Sequence, residues 1–259
     1  MIANFFRSLE AHRVAYLLIS GQATILYGAA TFSEDVDLWI EPSPENIERF
    51  RAALRRAGAR YYKLTPSIEL KYLAAGHGFH FLIGTEPGAG FFLDVLGRPP
   101  RSPSFDQAQR DSQRFETEWG NLAVIGMRDL IELKKTQRLA DYPIVSTLTL
   151  RVLETSNISG ETLNWAGSNL FTVESLFSFN ERYPQWIQSP PQDLPGILMQ
   201  YAGRAPEEIP DHAIEAAVRW MSEKMARCQL ADRQYWRPII AELRQLRRDG
   251  LLMPEGAAV

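Results

Sequence analysis

The sequence predicts an α+β head, a small mixed β-sheet flanked by helices, followed by an α-helical C-terminal region. Three observations predict it. An apolar run over 14–20 meets Gly21 and a short helical stretch, and a strand follows that opens with two carboxylates. Two further apolar runs, 78–83 and 91–96, bracket a connection rich in turn residues. After Tyr142-Pro143 the strand signals fade and helical periods dominate.

Each element has its own reason. Ile2, Phe5, Phe6 and Leu9 recur at helical spacing, so 2–12 is a helix. The continuous apolar run 14–20 is a buried strand, 22–27 a short helix stopped near Gly28, and 36–40 the acidic strand. Ser43-Pro44-Glu45 starts the next helix: Ser43 caps, Pro44 suits the first position and Glu45 complements the dipole. That helix runs to Ala57 and stops at Gly58, with Ile47, Phe50 and Leu54 inward and Arg49, Arg51, Arg55 and Arg56 in solvent. The runs 78–83 and 91–96 form a hairpin across 84–90, where Gly88 and Gly90 read either as a lip over a ligand or as hairpin punctuation. Three prolines make 98–104 a surface excursion. A short strand is expected at 122–125 and a helix at 127–140, with Leu130, Ile131 and Leu133 inward. In the tail, helices are expected over 213–228 and 235–248, because Pro238 is tolerated only in a first helical turn. The six prolines of 183–210 mark a link between helices. The boundary falls near residue 145, which gives a head of 1–145 and a tail of 146–259.

The bulk composition narrows the function classes. The chain has 259 residues, 45% hydrophobic and 11% aromatic, enough for a proper core. A net charge of −3 supplies no global basic field, so any nucleic-acid contact needs a local basic stripe. The single cysteine, Cys228, excludes an internal disulfide and a cysteine metal cage. No run approaches the roughly 20 apolar residues of a membrane span. The amino terminus lacks the charged-then-apolar order of a secretory signal. The expectation is a cytoplasmic protein with no membrane partner.

The chemistry concentrates in three aspartates. Residues i and i+2 of a strand point to one side, so Asp35 and Asp37 converge and suit a hard divalent cation. The bland reading is a pair of turn carboxylates. The turn at Gly21 offers backbone N–H groups for a phosphate. Asp94 interrupts the apolar run 91–96 and shares a face with Phe92, where a buried carboxylate needs a cation or a basic partner. Its bland readings are a salt bridge to Arg98 or exposure on an open sheet face. Ser33 braces the Asp35 turn. His77 and His80 lack a third ligand; His80 either contacts the acidic face or packs. Lys63 and Lys71 flank the site in sequence. Lys134 and Arg138, at i and i+4 of the expected helix and followed by Asp141, are either a phosphate cradle or a solvated stripe.

The order strand, glycine turn, helix, Ser33-x-Asp35-x-Asp37 and later Asp94 resembles the nucleotidyltransferase fold of the DNA polymerase β superfamily. It is most similar to the bacterial minimal nucleotidyltransferases, including those of abortive-infection and toxin–antitoxin systems, over about residues 14–141. The resemblance implies transfer of NMP from an NTP to an acceptor hydroxyl on RNA (a tRNA, for example), a protein or a small molecule, with pyrophosphate release. It implies Mg²⁺ or Mn²⁺ as cofactor, held by Asp35, Asp37 and Asp94 as the catalytic acids. Ser20, Gly21, Gln22 and Ser33 would bind the nucleotide, and Lys134 and Arg138 would offset the triphosphate charge. Two departures stand out: Ser20-Gly21-Gln22 replaces a Gly-Gly or Gly-Ser turn, and Thr31 lies near the position where relatives often carry arginine. The rival from another class is a catalytically weak or inactive nucleotidyltransferase-fold protein that binds a cognate partner, as in a toxin–antitoxin pair. A D-x-D glycosyltransferase is disfavoured because the chain lacks room for a second nucleotide-sugar subdomain.

Overall fold

The computed structural model describes residues 1–84 and 90–259. Gly88, one of the two glycines read as a lip, lies outside the described residues. The chain forms two compact units, Met1–Leu133 with Gln234–Val259, and Lys134–Arg233. The last stretch of the tail therefore groups with the head, and residue 145 falls inside a helix.

In the first unit, α1 (Ile2–Ala11) leads into β1 (Tyr16–Ile19), α2 (Ser20–Leu26) and β2 (Val36–Ile40). Then come α3 (Pro44–Arg56), β3 (Arg60–Tyr61), α4 (Leu70–Ala75), β4 (Phe79–Ile83) and β5 (Phe91–Leu96). The unit continues with α5 (Phe105–Arg110), β6 (Gln113–Thr117), β7 (Gly120–Val124) and α6 (Met127–Leu133). Among the described residues the strands make one seven-stranded mixed sheet, ordered β3-β4-β5-β2-β1-β7-β6. β2 runs parallel to β5 and β1 parallel to β7; the other pairs are antiparallel.

One face of the sheet is sealed and the other is partly open. Phe79, Phe81 and Ile83 of β4 and Phe91, Leu93 and Val95 of β5 are buried, and α1 and α3 cover this side. Phe5 of α1 meets Phe91 edge-on at 5.7 Å, and Phe50 of α3 meets Phe81 at 6.3 Å. Ser43 caps α3 by accepting from Asn46 N at 3.3 Å. The buried Asn46 amide then ties that helix start to the sheet: it accepts from Ala15 N (2.8 Å) and donates to Ala15 O (2.9 Å) and Glu41 O (3.0 Å). The alternate residues His80, Leu82, Phe92, Asp94 and Asp37 occupy the opposite face and stay partly accessible. Farther along β2 that face closes, where Phe105 packs edge-on against Trp39.

The C-terminal residues protect an edge of the same sheet. Ala258 bridges Arg60 and Leu252 bridges Pro66, so the short β3 does not end in a row of unpaired amides. The buried His77 contributes Nε2 at 2.8 Å from Glu242, and Tyr235 Oη donates to the Arg98 carbonyl.

The second unit is helical: α7 (Asp141–Thr155), α8 (Gly160–Ser168), α9 (Val173–Arg182), α10 (Gly196–Met199) and the first part of α11 (Asp211–Arg248). Its core contains Leu153, Leu163, Leu170, Phe177, Trp186 and Trp220. Two expectations are corrected here. The helix foreseen over 127–140 ends at Leu133, and the two helices foreseen in the tail are one, with Pro238 in its interior. Pro238 and Gln234 are both exposed, so the carbonyl that loses its amide partner can turn to water. Among the described residues, no helix is long and apolar enough to cross a membrane.

Candidate active site

The sheet register brings the acidic residues together. Asp37 of β2 is the cross-strand neighbour of Asp94 on β5, and Asp94 is the neighbour of His80 on β4. On the other side, Asp37 stands opposite Ile19, the last residue of β1 before the turn. One row across the sheet thus reads Ile19, Asp37, Asp94, His80, with neighbouring strands about 4.8 Å apart. The two carboxylates share a face because they sit at matched positions of parallel strands. Asp35 lies two residues before Asp37, in the bend that precedes β2 rather than in the strand itself.

Asp94 is not a lone acid in an apolar strand. Its Oδ1 lies 2.7 Å from His80 Nδ1, with side-chain exposures of 29% and 27%. The basic partner that burial calls for is His80, not Arg98. A hydrogen bond from Nδ1 engages one carboxylate oxygen, Oδ1, of the partly exposed Asp94.

The turn that follows β1 is held by Ser33. A Cβ built on Gly21 would lie 2.1 Å from Ser33 Oγ and 2.8 Å from Ser33 Cβ. Rotating the hydroxyl relieves only the first contact, so the chain needs glycine here. The Gln22 amide donates to Ser33 O at 3.1 Å, and Ser33 Oγ donates to Asp35 O at 3.3 Å. The hydroxyl of Thr24 closes the turn by donating to Gly21 O at 2.5 Å. The left-handed residue is Ser20, with φ 57°, rather than Gly21. A non-glycine residue held there costs about 1–2 kcal/mol, and such strain is typical of a functional turn.

The first unit therefore contains Ser20, Gly21, Gln22, Ser33, Asp35, Asp37 and Asp94; the register sets Asp37 beside Asp94, and hydrogen bonds join Gln22, Ser33 and Asp35. Lys134 and Arg138 belong to the second unit. They do not share a helix face, because α6 has ended before either. Lys134 Nζ lies 3.1 Å from Asp141 Oδ1, and Thr136 Oγ1 donates to Asp141 Oδ2 at 2.6 Å. This network ties the link to the start of α7 and explains why the helix stops. Arg138 is exposed.

Among the described residues, no three His, Cys, Asp or Glu side chains come close enough to form a ready-made cation cage. The donor set still suits magnesium, which binds through one or two carboxylates plus substrate phosphates rather than an all-protein cage. Asp37 and Asp94 would be those carboxylates, with Asp35 at the rim.

Sequence reasoning left open the contact of His80 with Asp94 and passed over a ring pair beside it. Tyr62 and Phe92 stack with centroids 4.7 Å apart and planes at 28°. The available signal was the strand alternation that puts Phe92 on the face of Asp94. No protein-family model matches the chain, and no curated protein is significantly similar to it.

Proposed function

We propose that this chain is a metal-dependent nucleotidyltransferase that moves NMP from an NTP to an acceptor hydroxyl and releases pyrophosphate. The observation that carries the reading is the register match of Asp37 and Asp94, flanked by the strained turn at Ser20–Gly21. Two carboxylates at matched positions of neighbouring parallel strands suit a divalent cation that also carries substrate phosphates. The reading agrees with the resemblance to the nucleotidyltransferase fold drawn from Gly21, Asp35, Asp37 and Asp94.

The acceptor oxygen attacks the α-phosphorus, the α–β phosphoanhydride bond breaks, and its electron pair leaves with pyrophosphate. The Asp94 oxygen not held by His80 takes the acceptor proton. Asp37 and Asp94 would hold the metal, with Asp35 at its rim, and amides of the Gly21 turn would orient the phosphates. When bound, Mg²⁺ or Mn²⁺ supplies charge neutralisation of the triphosphate and of the pentavalent transition state. What remains for the protein is positioning and electrostatics.

The test is incubation of the chain with α-labelled NTPs, Mn²⁺ and either total RNA or whole lysate. Label transfer lost in Asp37→Asn supports the reading; transfer undiminished in that variant refutes it. One observation favours the partner-binding alternative: the Gln22 side chain is spent on Ser33. A melting-temperature rise with NTP that requires Mg²⁺ separates the two, because only a nucleotide site links stability to both.

A further inference from the structure

We propose that Tyr62 and Phe92 form a stacking platform for a nucleobase of the acceptor, which makes the acceptor a single-stranded RNA 3′ end. The placement rests on the nucleotidyltransferase reading; the platform itself rests on the rings.

The open face of the sheet carries two rows. The first, extended outward, is Asp37, Asp94, His80 and then Tyr62, whose N–H donates to His80 O at 2.8 Å. The second lies one side-chain step along the strands and pairs Phe92 of β5 with Leu82 of β4. Tyr62 leans across β4 and stacks on Phe92, so aromatic surface borders the acids. Phe92 keeps 37% of its surface exposed, although its strand neighbours Phe91 and Leu93 are buried. Phe92 is the exposed ring of the pair and Tyr62 is half-buried against it, so the pair offers a flat ligand one braced aromatic surface beside the acids. Exposed Lys63 Nζ lies 5.0 Å from the Tyr62 ring centroid, a cation placed for a backbone phosphate.

The topology chooses the acceptor rather than the NTP. Attack on a phosphoryl group is in line, so the entering oxygen and the leaving pyrophosphate occupy opposite sides of the α-phosphorus. The phosphate-orienting turn follows β1, on one side of Asp37. The rings lie beyond Asp94, on the other side. An acceptor arriving over β5 and β4 would set its terminal base on Phe92 and Tyr62 with its hydroxyl at Asp94. Stacking on exposed aromatics beside a cation is how single strands are held without reading sequence.

The experiment compares two fluorescent single-stranded oligoribonucleotides, identical except that the 3′-terminal residue of one is an abasic ribose. Binding to the full chain is read by fluorescence anisotropy with Mn²⁺ and a non-hydrolysable NTP analogue. The intact oligonucleotide should bind on the order of tenfold tighter, the effect of one stacked base. Phe92→Leu and Tyr62→Leu should erase the difference, while Tyr62→Phe, which keeps the ring, should retain it. Circular dichroism melting checks that each variant folds, and the wild-type comparison alone needs no variant. Equal binding of the two oligonucleotides overturns the platform, as does a base preference that survives in folded Phe92→Leu. Label passing to a protein while neither oligonucleotide binds also overturns it. Base-dependent binding without transfer from an α-labelled NTP keeps the platform and refutes the enzymatic reading.

Discussion

The two units treat their charged groups in opposite ways. On the sheet, Asp37, Asp94 and His80 are half-exposed and set side by side by strand register. In the helical unit, the charges taken inside are closed off by partners. Lys224 is buried, donates to Gly167 O and Leu170 O at 3.2 and 2.9 Å, and lies 3.8 Å from the Trp220 ring centroid. The ammonium caps the end of α8, where the helix dipole favours a cation, and its third side is an aromatic face. Lys134 and Asp141 neutralise each other within their own unit. The sheet keeps its charged groups within reach of solvent, whereas the helical unit draws Lys224, Lys134 and Asp141 inside.

The sharpest way to break this contrast is on the sheet. Asp37→Asn should lower label transfer by about 10²–10³-fold, with the chain still folding cooperatively. A comparable drop in melting temperature would make Asp37 structural. Asp94→Asn should behave alike in transfer, and His80→Ala should lower turnover less, through a misoriented Asp94.

In the helical unit the expected effect is on stability and depends on pH. Burial pushes the Lys224 ammonium down from 10.5 to about 7, against the attraction of Asp193. Between these values the unfolded chain holds a proton that the folded chain has released. Stability therefore rises with pH across this window, by at most about 1.4 kcal/mol per pH unit. Below pH 7 both states are charged and the cost of burial is fully present. Denaturant melts from pH 7 to 10 should show this rise in the wild type and a flatter profile in Lys224→Met. Equal profiles would remove Lys224 as its cause.

Smaller effects sharpen the account of the turn. Gly21→Ala should cost about 1–3 kcal/mol as an overpacked contact with Ser33. Ser20→Gly should change stability by no more than about 1 kcal/mol, because relief of the left-handed strain is offset by the entropy of glycine. Urea melts measure both.

Where the sequence was legible, one strong local signal settled the structure. Gly21, the spaced aspartates and the alternation in 91–96 placed β1, α2, β2 and the β4–β5 hairpin. β3 was missed because it is only Arg60–Tyr61, and β6 because its exposed face gives 113–117 no apolar alternation. The helix through 127–140 looked continuous because its break depends on Thr136 and Lys134 reaching Asp141, which no period reveals. Pro238 misled for the converse reason: its carbonyl partner faces water. At the site the three acids were readable as residue types. The pairing of Asp37 with Asp94, the His80 hydrogen bond and the Tyr62–Phe92 stack required the register between strands distant in sequence.

The most direct measurement is a Mn²⁺ titration by electron paramagnetic resonance, with and without a non-hydrolysable NTP analogue, on the wild type, Asp37→Asn and Asp94→Asn. The account predicts Mn²⁺ binding that tightens with nucleotide in the wild type and loses that dependence in both variants. Wild-type binding indifferent to nucleotide, or unchanged in the variants, would contradict it.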